Sequence, residues 1–256
     1  MRPSRRLGQH FLLDPRVAER QVEHARISSS DVVLEIGPGL GILTERLVAR
    51  AKRVLAIEAD RRLASHLRSS VPSAEVVVGD ALEVSWPPFD VMVSNLPYQI
   101  SSPITFKLLD RTFDRAVLMY QWEFARRMVA APGTRDYSRL TVGVYRRAAC
   151  SILERVPRNA FQPQPRVDSA LVALEPRPAP FDLTDPDLYD RVVAALFEHR
   201  RKTIENGLRL AWEALDRSPS HRDFILPTLP FLGRRVEELR PEDIALLVNM
   251  MSGAKA

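Results

Sequence analysis

The string VSNLPYQI (93–100) holds the side chains best suited to chemistry on an aromatic amine. The exocyclic nitrogen of a base such as adenine is a poor nucleophile, because its lone pair is delocalised into the ring. Two acceptors placed on its two N–H groups would draw it toward tetrahedral geometry and localise that pair. Asn95 offers a side-chain carbonyl, and Pro97 a backbone carbonyl that a proline ring helps to fix. Tyr98 offers a face on which a flipped or unpaired base can stack. No strong general base is required, since a methylated amine turns acidic after transfer. Positioning for in-line attack on a methyl carbon is the main demand. Asn-x-Pro is also ordinary turn chemistry, so the string needs its context.

That context is a series of glycines and acids at the ends of apolar runs. VVLEIGPGLG (32–41) passes from a buried-strand pattern into a Gly-rich turn. Gly37, Gly39 and Gly41 allow a sharp turn and let backbone approach a ligand where a Cβ would collide. The helix that follows begins with unsatisfied N–H groups. By itself such a loop serves a dinucleotide, another nucleoside cofactor, or only a tight strand-to-helix connection. Glu58 ends the second run, 21 residues after Gly37, where a carboxylate can accept from two ribose hydroxyls; this also suits NAD. Asp80 ends the third run in VVVGDAL (76–82), placed to accept from an adenine amino group. Each acid alone is more often a helix N-cap or a solvated loop residue. Together, on the edge where open α/β sheets bind ligands, they point to a nucleoside site. Glu35 either sits near a sulfonium or amine or only shapes the turn.

The elements that must position these residues are legible as periodicities. Val/Ile-rich runs at 32–36, 54–57, 76–78 and 91–93 read as strands buried on both faces. Between them, 42–50 and 60–69 place apolar residues three and four apart, as helices do. Strand alternating with helix marks a doubly wound α/β domain. Further strands are expected at 116–120, within 140–153 and at 169–174, the last two suiting an antiparallel pair across Pro-rich 157–165. EPRPAPFDLTDPD (175–187), with four prolines in 13 residues, reads as a linker. Beyond it only helical periodicity is found, at 188–201, 203–215 and 241–251. The domain boundary therefore falls near residue 178.

A chain of 256 residues, 45% apolar and 27% charged, can bury a sizeable core and is too apolar to be disordered throughout. Cys150 is the sole cysteine, which excludes an intramolecular disulfide and a zinc cluster, and no metal is expected. No apolar run approaches the roughly 18 residues that span a bilayer. MRPSRRLGQHF has no apolar stretch of a secretory signal behind it, so a cytoplasmic protein without a membrane partner is expected. The net charge of +5 is uneven: residues 102–166 hold 12 basic and 5 acidic side chains, whereas 176–256 hold 12 and 13. A basic stretch in a balanced chain suits a phosphate backbone, and it also suits an ordinary solvated face.

Five strings carry a family resemblance: LGQHFLLD (7–14), EIGPGLGILT (35–44), NLPYQISSPI (95–104), FQPQPRVDSALVAL (161–174) and HRRKTIENGL (199–208). Over nearly its whole length the chain resembles the small-subunit ribosomal RNA adenine dimethyltransferases. Asn-Leu-Pro-Tyr is the specific element, since DNA adenine and protein glutamine methyltransferases more often carry Asn-Pro-Pro-Tyr or Asp-Pro-Pro-Tyr. The resemblance implies a Rossmann-like α/β methyltransferase domain, 1–178, with a mostly parallel seven-stranded sheet including an antiparallel strand. It implies a small helical RNA-recognition domain, 179–256. It implies S-adenosylmethionine as cofactor, contacted by His10, Leu12, Gly37, Gly39, Glu58, Asp80, Ala81 and Asn95. Catalysis falls to Asn95, Pro97 and Tyr98. Many relatives carry Asn in place of His10. Phe161 is the candidate for the opposite face of the target base, a core position being its alternative.

The implied substrate is a pair of adjacent adenosines near the 3′ end of small-subunit rRNA, each methylated twice at N6 in a pre-ribosomal particle. A monomer is expected. RNA contact is expected from 102–166 and from Arg200, Arg201 and Lys202, which otherwise form a helix-end charge cluster. A large-subunit rRNA adenine methyltransferase of the macrolide-resistance type looks similar through the catalytic domain. HRRKTIENGL and the length of the helical tail favour the small-subunit group. A non-catalytic ribosome-assembly factor would have no use for intact Gly37, Glu58, Asp80 and NLPY. A nicotinamide oxidoreductase leaves NLPY unexplained.

Overall fold

The computed structural model describes residues 9–215 and 218–253. The first eight residues, with Leu7 and Gly8 of the LGQHFLLD string and most of the segment read for a secretory signal, lie outside the described residues. In chain order the elements are β1 (Phe11–Leu12), α1 (Pro15–His24), β2 (Val32–Ile36), α2 (Thr44–Val48), β3 (Arg53–Glu58), α3 (Arg61–Ser70) and β4 (Glu75–Val78). Next come β5 (Val91–Asn95), α4 (Ser101–Leu109), β6 (Arg115–Gln121), α5 (Trp122–Met128), α6 (Arg139–Arg147), β7 (Ala148–Val156), β8 (Phe161–Gln162) and β9 (Ser169–Pro176). Four helices finish the described chain: α7 (Pro186–Glu198), α8 (Ile204–Ala211), α9 (Pro219–Ile225) and α10 (Pro241–Gly253).

Seven strands form one sheet in the order β4-β3-β2-β5-β6-β9-β7. β4 to β6 run parallel, and β9 pairs antiparallel to β6 from Ala116↔Leu174 to Gln121↔Ser169. The strand order reverses between β2 and β5, the switch point where an open α/β sheet leaves a crevice beyond its carboxyl ends. β1 and β8 make a separate two-stranded ladder, Leu12 opposite Phe161.

Apart from the half-buried Val32, the valines and isoleucines of β2, β3 and β5 are buried, as their continuous apolar runs require. β4 departs from that expectation: it is the sheet edge, and Val77 and Val78 stay more than a third exposed. Valine content sets strand propensity, but an outermost strand has only one neighbour to cover it. The strand expected within 140–153 begins only at Ala148. Residues 139–147 form α6, started by Ser138, whose N–H donates to Thr141 Oγ1 at 3.1 Å, with Leu140 and Val144 buried one turn apart. α1 has a local start signal in the sequence: Asp14 caps it by accepting from the Arg16 N–H, and Pro15 opens its first turn.

The chain divides into two compact units, 1–126 with 149–176, and 127–148 with 177–256. The chain passes between the units three times, at 126/127, 148/149 and 176/177. The last of these lies in the proline-rich stretch 175–187, whereas 127–148 carry no linker composition. In the first unit, Val33, Val54, Val93, Val117 and Leu171 of the sheet pack with Val17 and Val22 of α1. In the second, Tyr137 and Val142 join Leu188, Leu196, Leu208, Trp212 and Leu247 in a helical core. Among the described residues no helix is long and apolar enough to cross a membrane.

Candidate active site

The site opens where β2 and β5 part. Their ladder is registered at Val33↔Val91 and Leu34↔Met92. Further along, the Ile36 N–H donates to the side chain of Ser94 (2.8 Å), and the Gly37 N–H turns to the Ile57 carbonyl (2.9 Å). A hydroxyl thus satisfies the backbone where the strands diverge. The pocket in this gap is lined by β1, the loop after β2, the ends of β3 and β4, and residues 95–100.

On one side lie the glycines and acids. Gly37 has φ +68°, and a Cβ there would meet the Pro97 ring at 3.3 Å. Gly39 has φ +59°, and a Cβ there would meet the Phe11 ring at 3.1 Å. Only glycine fits this cradle between the NLPY string and β1. Glu58 is buried, with one carboxylate oxygen accepting from the Gly39 N–H (3.2 Å) and the other from the Asp60 N–H (2.9 Å). Each oxygen keeps a lone pair for a ligand hydroxyl. Burial holds the Glu58 carboxyl above the usual range, opposed by these two hydrogen bonds. Asp80 is exposed, and its Oδ1 accepts from the Leu82 N–H (2.8 Å). Ala81 sits buried behind it.

Glu35 also lines the pocket, yet is almost wholly buried; it accepts from Thr44 Oγ1 at 2.7 Å. Desolvation, with the Glu58 charge adding to it, pushes its pKa up to about 8. Glu35 is therefore largely a neutral acid at neutral pH.

On the other side, Asn95 ends β5 with its Nδ2 3.5 Å from the His10 carbonyl, which turns its Oδ1 the opposite way. The Pro97 carbonyl accepts from the Ile100 N–H (3.1 Å) and has a second lone pair to offer. The Tyr98 hydroxyl is 2.7 Å from Oγ of the buried Ser169, and burial raises its pKa, so it stays protonated. The His10 ring stacks on Tyr98, centroids 5.7 Å apart at 27°. Because the Pro163 carbonyl can only accept, His10 Nδ1, 2.7 Å away, carries a proton.

His10, Leu12, Gly37, Gly39, Glu58, Asp80, Ala81, Asn95, Pro97 and Tyr98 thus share one pocket, though they span nearly ninety residues of sequence. Phe161 is not among its lining residues. Pairing with Leu12 turns the ring into the core beside Val17 and Leu43, leaving it 2% exposed, so it offers no face to a base. The aromatic partner of Tyr98 is His10 instead. Arg200 is also placed differently: it donates to the Arg135 (3.0 Å) and Tyr137 (2.9 Å) carbonyls and pairs with Glu237. Arg201 and Lys202 are exposed. Of the basic stretch 102–166, Arg115, Arg146, Arg147 and Arg155 are ion-paired within the protein. Sequence reading missed Ser94, Ser169 and Lys107. Ser169 lies 71 residues from Tyr98 and carries no local signal.

A glycine cradle, a buried carboxylate at the end of β3 and an acidic residue just past β4 fit S-adenosylmethionine, and fold and pocket together define a methyltransferase dependent on it. The chain belongs to the ribosomal RNA adenine dimethylase family, whose model matches residues 2–251. It is 49% identical to a probable ribosomal RNA small subunit methyltransferase A of Thermococcus gammatolerans, covering 95% of this chain and 87% of the relative. To the protein of the same description from Methanosarcina acetivorans it is 49% identical, over 97% and 93%. Its structure matches a dimethyladenosine transferase from Plasmodium falciparum with TM-score 0.82 at 33% identity, covering 95% of this chain and 98% of that one. A 23S rRNA methyltransferase, ErmE, matches with TM-score 0.69 at 33% identity, over 94% and 99%. The family and its curated relatives favour the small-subunit enzyme over the large-subunit alternative.

Proposed function

We propose that this enzyme methylates, twice each, the N6 amines of two adjacent adenosines near the 3′ end of small-subunit rRNA. It does so as a cytoplasmic monomer acting on a pre-ribosomal small subunit. When bound, S-adenosylmethionine supplies an electrophilic methyl group on a sulfonium. Glu58 accepts from the ribose hydroxyls through its remaining lone pairs, and Asp80 accepts from the adenine amino group. Gly37 and Gly39 let backbone close on the ligand, with Leu12 of β1 packed against it. At the target, Asn95 Oδ1 and the Pro97 carbonyl accept hydrogen bonds from the two N–H groups and localise the amine lone pair; after attack on the methyl carbon the cationic nitrogen loses one proton to water. In the second round the one remaining N–H donates to either acceptor. With His10 on one face of Tyr98, the target base stacks on the other.

The observation that carries this reading is the shared pocket. It puts the acceptors and aromatic face of residues 95–98 within one cavity with Glu58 and Asp80. Arg201 and Lys202 are the RNA contacts retained from the basic turn after α7, because they are exposed where Arg200 is not free to leave its carbonyl partners. Incubation with methyl-labelled S-adenosylmethionine and immature small subunits, followed by nucleoside mapping, should give N6,N6-dimethyladenosine at two adjacent positions. Label in large-subunit RNA, or none, would reject the proposal.

A further inference from the structure

We infer that Lys107 is a positioning residue for the adenine end of the pocket: its ammonium organises the loop after β4 that carries Asp80 and Ala81. The inference rests on the adenine-binding reading of that loop. From α4, Lys107 Nζ donates to the carbonyls of Ala81 (2.9 Å), Leu82 (2.9 Å) and Val84 (2.8 Å). An ammonium has three N–H groups, and all three are taken. The same nitrogen lies 5.0 Å from the Trp86 ring centroid, and Trp86 Nε1 donates to the Ala81 carbonyl at 2.8 Å.

The loop is a single helix-like turn closed at both ends. At its start, the Asp80 carbonyl accepts from the Glu83 (3.0 Å) and Val84 (2.9 Å) N–H groups, and Asp80 Oδ1 accepts from the Leu82 N–H (2.8 Å). Its carbonyls converge on Lys107, a cation placed where a helical turn presents its negative end. Three carbonyls around one point suit an ammonium; the planar fork of arginine cannot converge on a point. Lys107 is not a pocket-lining residue, so it acts through the loop. It also joins that loop to α4, which grows out of the catalytic string 95–100. Burial lowers its pKa, the cost of desolvating a charge that the carbonyls offset.

The test uses the full chain. Lys107→Met keeps the apolar stem and removes the ammonium. Calorimetry should show S-adenosylmethionine and S-adenosylhomocysteine bound on the order of tenfold more weakly, the scale of a lost set of charge-assisted hydrogen bonds. At saturating cofactor, kcat and the KM for RNA should stay within about twofold, since the acceptors at 95–98 are untouched. Amide hydrogen exchange should quicken in residues 81–86 and not along β3. In a Cys150→Ala background, Lys107→Cys alkylated with bromoethylamine should regain affinity, and the same variant alkylated with iodoacetamide should not. If Lys107→Met does not fold, Lys107→Arg makes the same comparison and should also bind cofactor more weakly. Unchanged cofactor affinity in a folded variant, or equal losses in kcat and RNA KM with no aminoethyl rescue, would overturn the inference. Asp80→Ala separates it from the reading beneath it. If Asp80→Ala leaves cofactor affinity intact, the adenine assignment itself fails. If it weakens binding while Lys107→Met does not, only the Lys107 inference fails.

Discussion

Glu58 and Glu35 are the two buried acids of the pocket, and burial acts on them to different ends. Glu58 keeps lone pairs toward a ligand, so Glu58→Ala is expected to cost about 1.5–3 kcal/mol of S-adenosylmethionine affinity, read by calorimetry on a folded variant. Unchanged affinity would remove the ribose assignment. Glu35 is held protonated, its pKa raised to about 8 by desolvation. The folded state therefore keeps a proton that the unfolded chain, titrating near 4.5, gives up. Stability from this site is fully present below that unfolded value and is lost as pH rises through about 8. Glu35→Gln removes the titration, so the melting-temperature difference, variant minus wild type, should grow from pH 5 to pH 8; a flat difference would show Glu35 ionised. In the proposed mechanism the Asn95 acceptor matters mainly in the transition state. Asn95→Ala should reduce single-turnover methyl transfer by about 10²-fold, ~2.7 kcal/mol, with cofactor affinity far less affected. Activity within a few-fold of wild type would reduce Asn95 to turn chemistry.

Among the elements, β5 does the most positioning. Its last residues carry both the hydroxyl that bridges to β2 and the amide that faces the pocket. Gln21 of α1 supports it from below, donating to the Ser94 and Val117 carbonyls, each at 3.1 Å. Ser94→Ala leaves the buried Ile36 N–H without its acceptor, which should destabilise the fold by about 1–3 kcal/mol in denaturant unfolding. Because Ile36 leads into the glycine cradle, cofactor affinity should fall in the same variant. A stable Ser94→Ala protein with full affinity would mean that water replaces the hydroxyl. α6 has a Ser-x-x-Thr start and buried residues one turn apart, and this local signal outweighs the strand-like content of 140–153.

At the scale of the whole molecule the question is where RNA phosphates meet the protein. Basic residues are plentiful, but many are held by internal acids or carbonyls, so net charge overstates what a phosphate can reach. Arg201 and Lys202 follow α7 on the surface of the second unit. Replacing both with glutamine should flatten the plot of log affinity for the small subunit against log salt by roughly 0.7–0.9 per lost contact. Cofactor affinity should not change, since neither residue belongs to the first unit that builds the pocket. An unaltered slope in the folded double variant would reassign the RNA contact. Arg200 is left out of this variant because removing it strips two carbonyls and Glu237 of a partner, which would confuse folding with binding.

The sequence by itself determined the alternation of strand and helix, the glycine turn, the acids at successive strand ends and the NLPY string. These are local signals: periodicity, turn chemistry and residue type within a few positions. It also carried the family, through strings spread along nearly the whole chain. Tertiary structure decided what depended on distant neighbours. Phe161 and Tyr98 are both aromatic residues in motif strings, yet one is turned inward by pairing with Leu12 and the other is held at the pocket by Ser169. β4 and β2 have similar valine content, but only position in the sheet made one an edge. Arg200 and Arg201 are adjacent and alike in charge, and only the carbonyls around the first show which is structural. Lys107 had no motif at all, because the three carbonyls it gathers lie 23 to 26 residues away and meet it only when the loop after β4 folds against α4.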